Sequence, residues 1–140
     1  MTNRFTDPLE RQRFLAGIDL CVARGHHALL RDIFQAEIQH RRDTGGDEFF
    51  ENLYQCAFLL YLIGDPSDVP MMWQAKHLDF DTSIGFDVQF LLGAGAKSTL
   101  NYLIAHGWTD IAHALAEYEE TSEDLHEWES FRRDYFYGHG

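Results

Sequence analysis

The chain has 140 residues, of which 45% are hydrophobic and 14% aromatic, and it carries a formal net charge of −12. That apolar content excludes a disordered acidic tail and predicts a single domain over residues 1–140 with a Phe-rich core. The charge speaks against nucleic acid as a partner, because phosphates repel it, and the longest apolar run, Cys56 to Ile63, is far too short to span a membrane.

The first eight residues contain no apolar signal-peptide core. Cys21 and Cys56, the only cysteines, lie in apolar stretches and read as buried free thiols. Together these features predict a cytosolic protein.

Asp7-Pro8-Leu9-Glu10 reads as a helix start, with Asp7 as cap and Pro8 in the first turn. Phe14, Ile18, Cys21 and Val22 recur at helical spacing, so this first helix is expected to run to Gly25. A second helix is expected over about 26–42, with Leu29, Leu30, Ile33, Phe34 and Ile38 inward. Thr44-Gly45-Gly46 breaks it, and Asp47 is placed to cap a third helix through Ile63. That third helix is apolar nearly all round, which predicts a central position.

Gly64-Asp65-Pro66-Ser67-Asp68 is a strong turn signal. A fourth helix is expected over 69–78, a loop over 79–85, and a short apolar helix over 87–92 whose Val88-Gln89-Phe90-Leu91-Leu92 also suits a strand. Further helices are predicted at 96–106, 109–119 and 122–136.

Ser98 to Leu115, turning at Gly107, resembles the helix–turn–helix of an ankyrin repeat. Ala16 to Ile33 fits the same template, and Phe50 to Trp73 is a looser copy with its turn at Gly64. The Thr-Pro-Leu-His tetrapeptide of that family is missing and the spacing is irregular. The expected fold is therefore all-α: stacked antiparallel helical hairpins, either solenoid-like or in an irregular bundle.

Two constellations suit a metal. Glu37/His40 and Glu123/His126 are Glu-x-x-His pairs of the kind used by di-iron bundles, although the helices look short for that architecture. His77, Asp79, Asp81 and Asp87 bunch around Gly85, and such a cluster could hold a divalent cation, but the spacing departs from an EF-hand loop. Helix capping by Asp79, Asp81 and Asp87 accounts for these residues more simply, so no metal or cofactor is assigned. Neither cysteine sits in a nucleophile motif, and Gly93-Ala94-Gly95 lacks the third glycine of a dinucleotide loop.

Charge is the most informative pattern. Residues 43–131 hold seventeen acids against two lysines and no arginine, whereas the first 42 residues hold seven arginines against five acids. Glu117, Tyr118, Glu119, Glu120, Glu123, Asp124, Glu127 and Trp128 form the densest acidic segment, with two aromatic side chains interleaved. Acids beyond the reach of local bases repel one another, and aromatic anchors among charges match the composition of binding hot spots. Tyr135-Phe136-Tyr137 reads either as core or as a second anchor.

Trp73-Gln74-Ala75-Lys76-His77-Leu78-Asp79-Phe80-Asp81-Thr82, followed by Gly85-Phe86-Asp87-Val88-Gln89-Phe90-Leu91-Leu92-Gly93-Ala94-Gly95, resembles a segment of small bacterial proteins. Such small, acidic, helical proteins are similar in character to the immunity proteins of polymorphic toxin systems. The resemblance covers about a sixth of the chain. It transfers no catalytic residue and implies a structural role, with Trp73 packing, the Asp residues pinning a loop, and Gly93 and Gly95 allowing close contact. The expected function is non-enzymatic: neutralisation of a basic protein partner, such as a cognate toxin, through residues 117–128. Two alternatives stay open, a small metal-dependent enzyme using His77, Asp79 and Asp81, and a helical scaffold or oligomer.

Overall fold

The computed structural model describes residues 4–118 and 122–138. Among them the protein is all-α, with eight α-helices, short 3-10 turns and no strand. The α-helices are α1 (Pro8–Gly17), α2 (His27–Thr44), α3 (Glu51–Ile63), α4 (Val69–Lys76), α5 (Phe80–Gly85), α6 (Ala96–Ala105), α7 (Thr109–Ala116) and α8 (Ser122–Tyr137).

The architecture follows from α3. Eleven of its thirteen residues are buried, so every face needs a cover. α1, α2, the 3-10 segments Leu20–His26 and Val88–Leu92, and the aromatic face of α8 supply it. Phe34, Phe58, Phe86 and Phe90 are fully buried at the centre. The polar groups that α3 buries are used as ties: Asn52 donates to the Pro8 carbonyl and to Glu37, and Gln55 donates to the Leu15 carbonyl. The helix ends at Gly64, whose φ of 74° supplies the left-handed cap and whose N–H donates to the Leu60 carbonyl.

The first helix is shorter than its apolar spacing predicts. α1 begins as expected, with the Asp7 carboxylate accepting the Leu9 N–H at 2.9 Å, but it stops at Gly17. Asp19 then accepts the Cys21 N–H and starts a 3-10 turn over Leu20–His26. The break changes which side chains face inward: Val22 is 51% exposed and Cys21 is exposed, contrary to the expectation of two buried thiols. Cys56 is fully buried, its thiol donates to the Leu30 carbonyl, and burial pushes its pKa well up. The break also removes the helix pair expected over Ala16–Ile33.

Of residues 79–85, expected as a loop, Phe80–Gly85 form α5 and Asp79 is its N-cap. A reciprocal cap holds this helix: the Asp79 carboxylate accepts the Thr82 N–H at 2.9 Å, and the Thr82 hydroxyl accepts the Asp79 N–H at 3.0 Å. Lys76, buried beneath, donates to the Ser83 and Phe86 carbonyls at the other end. Residues 88–92 form a 3-10 turn, not a strand. Asp47 accepts the Phe49 N–H but lies in the turn before α3, which starts at Glu51.

α6 and α7 form a helical hairpin about Gly107, whose φ is 83°. Elsewhere the helices arrange irregularly around α3. Gly93 is the tightest junction, since a Cβ there would run into the backbone carbonyl of Tyr61.

Two outcomes test this packing. Gly93→Ala should destabilise the fold by about 1–3 kcal/mol, the usual range for forced overpacking, seen as a lower urea midpoint. A thiol reagent should label Cys21 in the native protein and Cys56 only after denaturant is added; rapid labelling of both would contradict the burial of α3.

Candidate partner-binding surface

Long-range ion pairs decide which carboxylates remain available. The arginines of the N-terminal segment reach acids far along the chain. Arg31 Nε donates to Asp68 at 2.6 Å and Arg31 Nη2 to Asp65 at 3.1 Å, while His27 Nε2 lies 2.7 Å from the second Asp68 oxygen. Arg41 donates to both oxygens of Asp79, at 2.8 and 3.1 Å. Inside the core, Arg11 pairs with Glu37, both almost wholly buried, and donates to the Phe5 carbonyl as well. Desolvation raises the Glu37 pKa, against the pull of Arg11 and Asn52.

These contacts disperse the sequence's metal candidates. Asp79 faces Arg41 and caps α5. Asp87 makes no helix cap; its Oδ2 accepts Trp128 Nε1 at 2.9 Å and Arg132 Nη2 at 2.7 Å. His77 is exposed, with Nδ1 2.8 Å from the Trp73 carbonyl, and Asp81 is exposed. Glu37 and His40 do not converge either, because His40 Nε2 lies 2.8 Å from Asp47. Among the described residues no group of three His, Cys, Asp or Glu side chains is placed to hold a metal ion.

The acidic segment splits in two. Glu117 and Tyr118 are exposed at the end of α7, Tyr118 by 45%, and Asp124 and Glu127 are exposed on α8. Glu119 and Glu120 lie outside the described residues, as does the side chain of Glu123. Trp128 turns inward. Its indole stands edge-on to Tyr61 and Phe90, 4.9 and 5.0 Å between centroids, and is tied to Asp87. It anchors α8 to the core, and the outer surface has different aromatic side chains.

Among these are Phe131, 61% exposed, and Tyr135 and Phe50, each nearly half exposed, alongside Phe80, Trp108 and Tyr118. Phe131 and Tyr135 stand at i, i+4 and share one strip of α8, beside the strip that carries Trp128, Arg132 and Phe136; the spacing itself does not tell which strip faces out. The Phe136 and Tyr137 rings pack near Phe58, and the Tyr137 hydroxyl donates to the Leu15 carbonyl at 2.8 Å. Of the Tyr135-Phe136-Tyr137 triplet, only Tyr135 therefore faces outward.

Comparisons with protein-family models, with curated proteins and with solved structures yield no match, so the functional reading rests on this geometry.

The Arg41–Asp79 pair has a checkable pH signature. The hydrogen bond from Arg41, with the Thr82 N–H, holds the Asp79 pKa below the usual carboxylate value. A depressed native pKa contributes stability that is present above the unfolded value, about 4, and is lost as pH falls through the native one. Asp79→Asn keeps a capping side chain but loses the charge. It should cost about 1 kcal/mol at neutral pH, since the pair is only partly shielded, and it should flatten the acid limb of stability below about pH 4 in urea titrations. An acid limb as steep as the parent's would contradict the assignment.

Proposed function

We infer that the protein is a non-enzymatic binding module that captures a basic protein partner through the acidic side formed by the end of α7 and the outer face of α8. One observation carries this reading. Arginine pairing neutralises Glu37, Asp65, Asp68, Asp79 and Asp87, whereas exposed Glu117 and Glu127, like exposed Glu48 and Asp110, make no ion pair among the described residues. Carboxylates left unpaired on a protein of net charge −12 create a field that steers a cationic partner and speeds association. A cognate toxin domain fits that role, as the resemblance to immunity proteins implies. The reversible neutralisation of such a partner requires a complementary surface and no catalytic group.

The test begins with a basic protein retained from a source lysate at low salt and released at about 0.5 M salt, where the Debye length is only a few ångströms. Against that partner, the double reversal Glu117→Lys/Glu127→Lys should slow association by about tenfold or more while leaving the melting temperature within a few degrees of the parent, because both side chains are exposed. An unchanged association rate would move the contact away from this face.

A further inference from the structure

Phe131 and Tyr135 lie one turn apart on α8 with stacked rings, centroids 6.3 Å apart and 28° between planes. Phe50, from the turn before α3, stands across a groove of about 520 Å³ whose other lining residues are Glu51, Gln55, Tyr135 and Phe136. Phe50 also walls an adjoining hollow of about 390 Å³ shared with Tyr54, Arg41 and Asp81. The Phe50 ring thus separates two concavities on one side of the molecule. Neither Phe50, Phe131 nor Tyr135 is needed to close the core, because Trp128, Phe136 and Tyr137 cover Phe58 from within. Three large rings held at the surface, with recesses beside them, have the composition and relief of a binding hot spot.

The charges around the rings select the occupant. Glu127 is exposed one turn before Phe131, and Glu48 is exposed beside Phe50 in the chain. Glu51 lies within hydrogen-bonding reach of the Tyr135 hydroxyl, and burial together with that carboxylate raises the tyrosine pKa. The nearby cations are already engaged. Arg132 lies under the rings, 5.8 and 5.4 Å from the Phe131 and Tyr135 centroids, with its guanidinium on Asp87, and Arg133 pairs with Glu129. An apolar centre with an acidic rim complements a segment that carries an apolar side chain flanked by Lys or Arg. A second copy of this chain is a poor occupant, since a two-fold contact would bring like acidic rims together between molecules of charge −12.

We propose that Phe50, Phe131 and Tyr135 form the apolar centre of the partner-binding surface, and that its occupant is an amphipathic basic segment of a protein which inserts an apolar side chain into the Phe50–Tyr135 groove. The proposal rests on the reading of the protein as a binding module for a basic partner, and it places the energetic centre at these rings, with the acids at the rim supplying steering.

The experiment uses the full chain, isotope-labelled, and two synthetic probes of equal charge: an amphipathic helix of about 20 residues with Leu on one face and Lys on the other, and a Lys–Ser peptide of the same length. The expected result is a set of amide shifts centred on Phe50, Glu51, Phe131 and Tyr135 with the Leu–Lys probe. Phe131→Ser and Phe50→Ser should each weaken that probe by about tenfold, with little effect on the Lys–Ser peptide, while Ile104→Ser on α6 leaves both unchanged. Should Phe50→Ser lower the melting temperature, Phe131→Ser, the more exposed position, carries the test alone. Equal affinity in the Phe131 variant, with shifts confined to residues 117–127, would overturn the aromatic centre and leave the acidic binding module standing. Failure of both probes to bind at low salt would overturn both. A concentration-dependent dimer abolished by Phe131→Ser would assign the surface to a second copy and overturn the choice of occupant.

Discussion

The rest of the structure depends on a helix without a polar side. A thirteen-residue segment buried around nearly its whole circumference cannot sit at the edge of a two-layer packing, and its neighbours must enclose it. The chain does this with short helices and 3-10 turns broken by Gly and Pro, because a path that wraps one rod must change direction often. The polar groups carried inward by that rod become fastenings: Asn52 and Gln55 bind carbonyls of α1, and Cys56 binds one of α2. Their pairing removes the desolvation cost that buried polar groups otherwise impose.

Charge is arranged on the same plan. The basic N-terminal segment and the acidic remainder are separated in sequence but interlocked in space, with Arg31 and Arg41 meeting Asp65, Asp68 and Asp79, while Arg11 meets Glu37 within the N-terminal segment itself. Removing one partner of the buried Arg11–Glu37 pair would leave an uncompensated interior charge, which is far more harmful than losing a surface bridge. At the other end of the chain, Asp87 does for α8 what Glu37 does for α1, accepting both an indole N–H and a guanidinium. What remains at the surface is a set of exposed carboxylates spread along the chain, from Asp32 and Glu48 to Glu117 and Glu127, together with rings that the core does not use.

Of the titratable groups that sequence spacing brings together, Asp79 and Asp81 face Arg41, Asp87 is held by Arg132, and His77 turns to the Trp73 carbonyl. Groups far apart in sequence, Phe50 and Glu51 with Tyr135, are drawn together by the packing of α8 near the start of α3. On its inner side α8 is fastened by Trp128 and Arg132, both held by Asp87.

Much of the local structure was legible from residues near one another. Asp7-Pro8 as a helix start, Gly45, Gly64 and Gly107 as breaks, the central place of residues 51–63, the helical hairpin around Gly107 and the close contact at Gly93 all follow from backbone geometry or periodicity, which act over a few residues. The failures occurred where two local readings compete. Asp19 offered a cap inside an apolar repeat and won, exposing Cys21, and Asp79 with Thr82 made a helix out of a segment rich in turn residues. The sequence by itself determined the all-α class, the central helix and the sign of the surface. Only the tertiary structure decided which acids are neutralised and whether a ring on α8 anchors the core or faces solvent, because each of those outcomes rests on partners distant in sequence, such as Arg11 with Glu37 or Trp128 with Tyr61, and that distance is closed by packing alone.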